Sequence, residues 1–187
     1  MSEFILAENS DGKPICLKRD FIVSVEESNN LLFITVWLSN GQSRDSHLLT
    51  ISSFDVIVES MATADKPIVV LHTDRDERIA LRQDDIVKAQ DIEGESTEVT
   101  YLFRNKPLCM EVQESAEQIE QALSIQTVAL EDRDGRRMLL NKEYVCSAEE
   151  IEDYEYTEVK IMLRDRPQEE HVKNSVSEIN SLLSGPR

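Results

Sequence analysis

Closely spaced carboxylates are the first residues in this chain with the means to do chemistry. Asp74-Arg75-Asp76 and Asp132-Arg133-Asp134-Gly135 present oxygen ligands of the kind that hold calcium. A helix-flanked calcium loop needs alternating oxygens over about twelve residues and a closing Glu. Here the acids fall between short apolar stretches, where Asp-Gly is an ordinary hairpin signal, so turns are expected and not metal sites. His47, His72 and His171 have no His or Cys at ligand spacing, which predicts surface or rim positions and no zinc. No Ser sits in a Gly-x-Ser-x-Gly elbow, and no glycine-rich phosphate loop exists. With 37 Asp and Glu among 187 residues, neighbouring carboxylates arise by chance, so no glycosidase-like pair stands out. The chain reads as a non-enzyme without cofactor or metal.

Binding chemistry is better represented. Glu149-Glu150-Ile151-Glu152-Asp153-Tyr154-Glu155-Tyr156 concentrates acids around two tyrosines. This is the composition of a docking edge for a protein with a basic face, the rings serving as anchors. Trp37, Tyr101, Tyr154 and Tyr156 are the candidate anchors, with Glu149, Glu150, Glu152, Asp153 and Glu155 as the acidic rim. An alternative is an anionic small molecule, a phosphate or carboxylate, held by Arg82, Arg104, Arg164 and Arg166. A third is an acidic mimic of nucleic acid that blocks a DNA-binding enzyme. The formal net charge of −17 is spread as −5, −7 and −5 over residues 1–66, 67–126 and 127–187. That balance argues against direct nucleic-acid or anionic-membrane binding, both of which need clustered Lys and Arg.

These residues must be positioned by elements that recur. FILAENSDGKPICLKRDFIVSVEE, IVVLHTDRDERIALRQDDIVKAQDIE and TVALEDRDGRRMLLNKEYVCSAEEIE share one pattern: apolar strand, charged turn, second strand ending at Leu17, Leu81 or Leu140. An acid follows three residues later (Asp20, Asp84, Glu143), expected to cap a turn through its own backbone. Thr97-Glu98-Val99 recurs as Thr157-Glu158-Val159, and Arg104-Asn105-Lys106-Pro107 as Arg164-Asp165-Arg166-Pro167. Each copy closes on a short amphipathic helix with Ser53, Ser115 or Ser175 at its N-cap. Ser115 with Gln118, and Ser175 with Glu178, match the capping box.

The expected fold is therefore α+β: three tandem repeats of about 60 residues, at 1–66, 67–126 and 127–187. Each would be a small curled antiparallel sheet followed by a helix, packed into one assembly with pseudo-threefold symmetry, a linear stack being the other arrangement. Cys16, Cys109 and Cys146 form no CxxC pair and lie in apolar, strand-like stretches, which predicts reduced thiols acting as small hydrophobes. No apolar run approaches about 18 residues, and no basic segment precedes a long apolar stretch at the N-terminus. A cytoplasmic protein is expected.

The repeating unit resembles the small flagellar and swarming-motility proteins of the FlbD/SwrD family. The third copy carries Asp134-Gly135, Leu140-Asn141 and Val172-Lys173-Asn174-Ser175; the second carries Val112-Gln113-Glu114-Ser115-Ala116-Glu117-Gln118-Ile119. Members of that family are single units, whereas this chain has three. The resemblance implies the strand-turn-strand-to-helix fold and a non-catalytic character.

Overall fold

Three hairpin turns of one design organise the chain. At each, a side-chain oxygen accepts two backbone N–H groups ahead of it: Asn9 from Asp11 and Lys13, Thr73 from Arg75 and Glu77, Asp132 from Asp134 and Arg136. The fourth residue, Gly12, Asp76 or Gly135, takes a left-handed conformation (φ +73°, +60° and +82°) and donates its N–H back to the first residue's carbonyl. Glycine fits this position without strain; Asp76 is the exception that a short polar side chain permits. The turns expected at Asp74–Asp76 and Asp132–Gly135 are present. Among the described residues, no group of three or more His, Cys, Asp and Glu could hold a metal.

The computed structural model describes residues 3–28, 31–36, 46–50, 52–93, 96–103, 106–151, 154–163 and 166–185. The first hairpin pairs β1 (Phe4–Glu8) with β2 (Pro14–Lys18). After a 3-10 turn come β3 (Ile22–Ser28), β4 (Leu31–Val36), β5 (Ser46–Thr50) and α1 (Phe54–Met61). The same order then recurs in β6 (Ile68–His72), β7 (Arg78–Arg82), β8 (Ile86–Asp91), β9 (Thr97–Phe103), β10 (Lys106–Val112) and α2 (Ala116–Ala122). It recurs again in β11 (Thr127–Glu131), β12 (Arg137–Asn141), β13 (Val145–Glu150), β14 (Thr157–Leu163), β15 (Arg166–Val172) and α3 (Val176–Ser184).

The sheets do not follow that order, and the α+β expectation is corrected here. Among the described residues, strands account for 55% and helical residues for 21%, so this part of the protein is mostly β. The four sheets of the described residues do not form a clear threefold α+β repeat. They are β1-β2, β5-β4-β3-β7-β6, β10-β9-β8-β12-β11 and β13-β14-β15, all antiparallel. The physical reason lies at the edges. β7 joins β3 (Ser24↔Leu81, Val25↔Ala80, Glu26↔Ile79), and β12 joins β8 (Lys88↔Leu140, Ala89↔Leu139, Gln90↔Met138). A hairpin thus completes the sheet that precedes it and pairs its bare backbone groups.

The chain divides into two compact units, Met1–Asp84 and Asp85–Arg187. In the first, Ile5, Ala7 and Leu17 of the leading hairpin pack with Ile22, Val25, Leu32 and Ile34 beneath Phe54, Ile57 and Met61 of α1. In the second, Val128, Leu130, Met138 and Leu140 of β11 and β12 pack with Val159, Ile161, Leu163 and Val172 beneath Ile179 of α3. α2 and α3 carry complete capping boxes at Ser115/Gln118 and Ser175/Glu178, whereas Ser53 begins α1 with no side-chain cap. Among the described residues, no helix is long and apolar enough to cross a membrane.

Candidate docking site on the second unit

The acidic stretch at 149–156 runs out of β13 and back into β14. Glu149 lies opposite Glu158 and Glu150 opposite Thr157 in the ladder, and both glutamates are exposed. Beyond them, Tyr154 and Tyr156 stack at a tilt, ring centroids 5.0 Å apart. Tyr156 continues the stack onto His171 of β15 at 4.6 Å, and the Arg133 guanidinium covers its ring at 3.9 Å. Arg133 also donates to His171 Nδ1 at 2.6 Å, which leaves the imidazole proton on Nε2, facing Glu158 at 3.7 Å. Tyr154, at the outer end, is 63% exposed.

Of these residues, Glu150, Tyr154, Tyr156 and Thr157 border an open concavity of about 310 Å³, which Ile151, Glu155, Lys173 and Ser175 also line. Arg133, which covers Tyr156, belongs to the turn that starts at Asp132. That carboxylate is 4% exposed and accepts from the Asp134 and Arg136 N–H groups, from Gln90 Nε2 at 2.8 Å and from Arg136 Nε at 2.8 Å. Burial pushes its pKa up, but the hydrogen bonds from Arg136, Gln90 and Asp134 outweigh burial and hold it below the usual carboxylate range. The turn is tied to β15 as well, because the Lys173 N–H donates to the Glu131 carbonyl at 2.8 Å. Arg133 is thereby held over Tyr156 by a rigid turn.

Of the expected site, the structure brings together Glu150, Tyr154, Glu155 and Tyr156 around the concavity, while Glu149 lies outside its lining. Tyr101 is buried on β9, 9% exposed, and offers no ring to a partner as folded. Trp37, Glu152 and Asp153 lie outside the described residues. Of the arginines considered for an anion, Arg104 and Arg164 also lie outside them, and Arg166 is exposed at the start of β15. Arg82 is 8% exposed and donates to two backbone carbonyls, Ile22 at 3.0 Å and Arg19 at 2.8 Å. Those bonds tie β7 to the start of β3 and to the 3-10 turn before it. Asp20, Asp84 and Glu143 are exposed on three separate 3-10 turns, and Asp20 pairs with Lys66 at 2.9 Å. The three cysteines are free and exposed, contrary to the apolar role expected for them. Sequence reasoning missed Arg133, His171 and Lys173. Arg133 was visible only as a turn residue, and its contact with Tyr156 depends on how the turn meets β15.

No family model, no curated protein and no solved structure matches this chain.

Proposed function

We propose that the chain is a non-catalytic interaction protein whose concavity around Tyr154 and Tyr156 receives a basic segment of a partner protein. The observation that carries this reading is the ordered stack Tyr154–Tyr156–His171 under Arg133, beside a concavity rimmed by the exposed carboxylates Glu150 and Glu155. Tyrosines already held in place lose little side-chain freedom on binding, and rings in a recess are where interface energy concentrates. The carboxylates supply attraction for Lys and Arg, and the overall charge of −17 steers such a partner inward.

Fluorescence anisotropy with a panel of labelled Lys/Arg-rich peptides that also carry an apolar residue tests the reading. The best binder should lose about tenfold in affinity with Tyr154→Ala. It should lose a similar factor, with a shallower salt dependence, for Glu150→Lys with Glu155→Lys. The control, Glu59→Lys with Asp74→Lys, changes net charge equally on the first unit. If control and site variants weaken binding alike, the peptide senses only net charge and the site is wrong.

A further inference from the structure

The two joins between a three-stranded meander and a hairpin leave one of each unjoined. Among the described residues, β13 pairs only with β14, and β2 only with β1. We propose that β13 of one copy of this chain pairs antiparallel with β2 of a second copy, so that copies join head to tail.

The unjoined parts match the joined ones in detail. β3, β8 and β13 carry the same irregularity against their meander partners, between Ile22 and Ser24, Ile86 and Lys88, and Val145 and Ser147. The hairpins β1-β2, β6-β7 and β11-β12 share the turn described above. All three close with the same bond at 3.0 Å: Arg19 N–H to Glu3, Gln83 N–H to Pro67, Lys142 N–H to Gln126. Superimposing these registers places Ser147 opposite Leu17, Ala148 opposite Cys16 and Glu149 opposite Ile15.

Burial marks what is missing. Where the join exists, Ser24, Val25, Lys88 and Ala89 are at most 6% exposed, and Ala80 and Leu139 opposite them at most 2%. The equivalent Ser147 and Cys16 are exposed, and Ala148 is half-buried. Val87, at the irregularity of β8, is fully buried in the core formed with β11 and β12, whereas its counterpart Cys146 is exposed. A side chain also bridges each join: Arg82 Nε to the Ile22 carbonyl and Asn141 Nδ2 to the Ile86 carbonyl, both at 3.0 Å. Lys18 and Val145 hold the corresponding positions. A second copy is the occupant that fits because this sequence already builds the same pairing twice. The contact uses two different surfaces, so it extends into an open chain or closes into a ring.

Native mass spectrometry and sedimentation of the full chain test this. Multiples of 21.4 kDa should appear and grow with protein concentration. Ala148→Glu, a change at a partly exposed position, should weaken association by more than about tenfold. Adding Cys16→Lys to the same chain should restore it, because the two positions face each other across the join. A short bis-maleimide applied to Cys109→Ser protein should link Cys16 of one copy to Cys146 of another. Circular dichroism establishes that the variants fold. A chain monomeric at every concentration overturns the proposal, as does association that Ala148→Glu leaves unchanged, or a link formed only within one chain.

Discussion

Asp132 shows how much one side chain holds in this protein. Its carboxylate, buried and accepting four hydrogen bonds, ionises below the usual Asp range, so the folded state favours the charged form. A lowered folded pKa contributes stability that is fully present above the unfolded value of about 3.9 and is lost as pH falls through the folded value. Asp132→Asn keeps an oxygen for the backbone donors but turns an amide toward Gln90 and Arg136. Urea unfolding should show a loss of about 1–3 kcal/mol near neutral pH, with variant and parent converging in acid. Equal loss at every pH would mean that the charge is irrelevant. A buried ion pair, Lys88 with Glu170 at 2.8 Å, ties β8 to β15. Glu170→Ala leaves the Lys88 ammonium with Gln90 and should cost about 3–5 kcal/mol, while Lys88→Met with Glu170→Leu should recover most of it. Little of this was legible in the sequence. Asp132 could be placed in a turn by its Gly135, but nothing local says that Gln90 or Glu170 lies within reach of its partner.

At the scale of elements the sequence was more informative. The strand–turn–strand order read from the repeated segments recurs among the described residues, because a strand's faces are written in its own residues. Helix starts were equally legible. Ser115-x-x-Gln118 and Ser175-x-x-Glu178 form both reciprocal bonds, since each side chain needs only a partner three residues away. Ser53 makes no side-chain cap, and Val56, three residues on, has no side-chain acceptor to return the second bond. Its neighbour Ser52 accepts the Glu8 N–H at 3.0 Å, tying the start of the helix to β1. Thermal unfolding should therefore lose about 1 kcal/mol for Ser115→Ala or Ser175→Ala. Ser53→Ala should change little, and a loss matching the other two would show a cap absent from this structure.

Across the whole molecule, what stayed hidden was which strands share a sheet. Side chains report the faces of a strand, but partnership is decided at backbone edges that are chemically alike. Nothing in Arg78–Arg82 says that its second neighbour is β3, 50 or more residues earlier. Charge at this scale separates the two proposals. Binding of a basic peptide should weaken as salt is added, whereas association between copies that each carry −17 should strengthen, since salt screens their repulsion. Both effects can be read from one titration, and like-signed responses would contradict one of them.

The β6-β7 hairpin follows α1 in the chain yet completes the sheet begun by β3. During synthesis the first sheet therefore cannot close when α1 leaves the ribosome; it waits with the β3 edge bare until Arg82 has emerged. A fragment ended after α1 would keep that edge open and be prone to aggregate, whereas one ended at Asp84 carries its own closing strands. The natural place to cut this protein is thus not where its sequence begins to repeat, but one hairpin later.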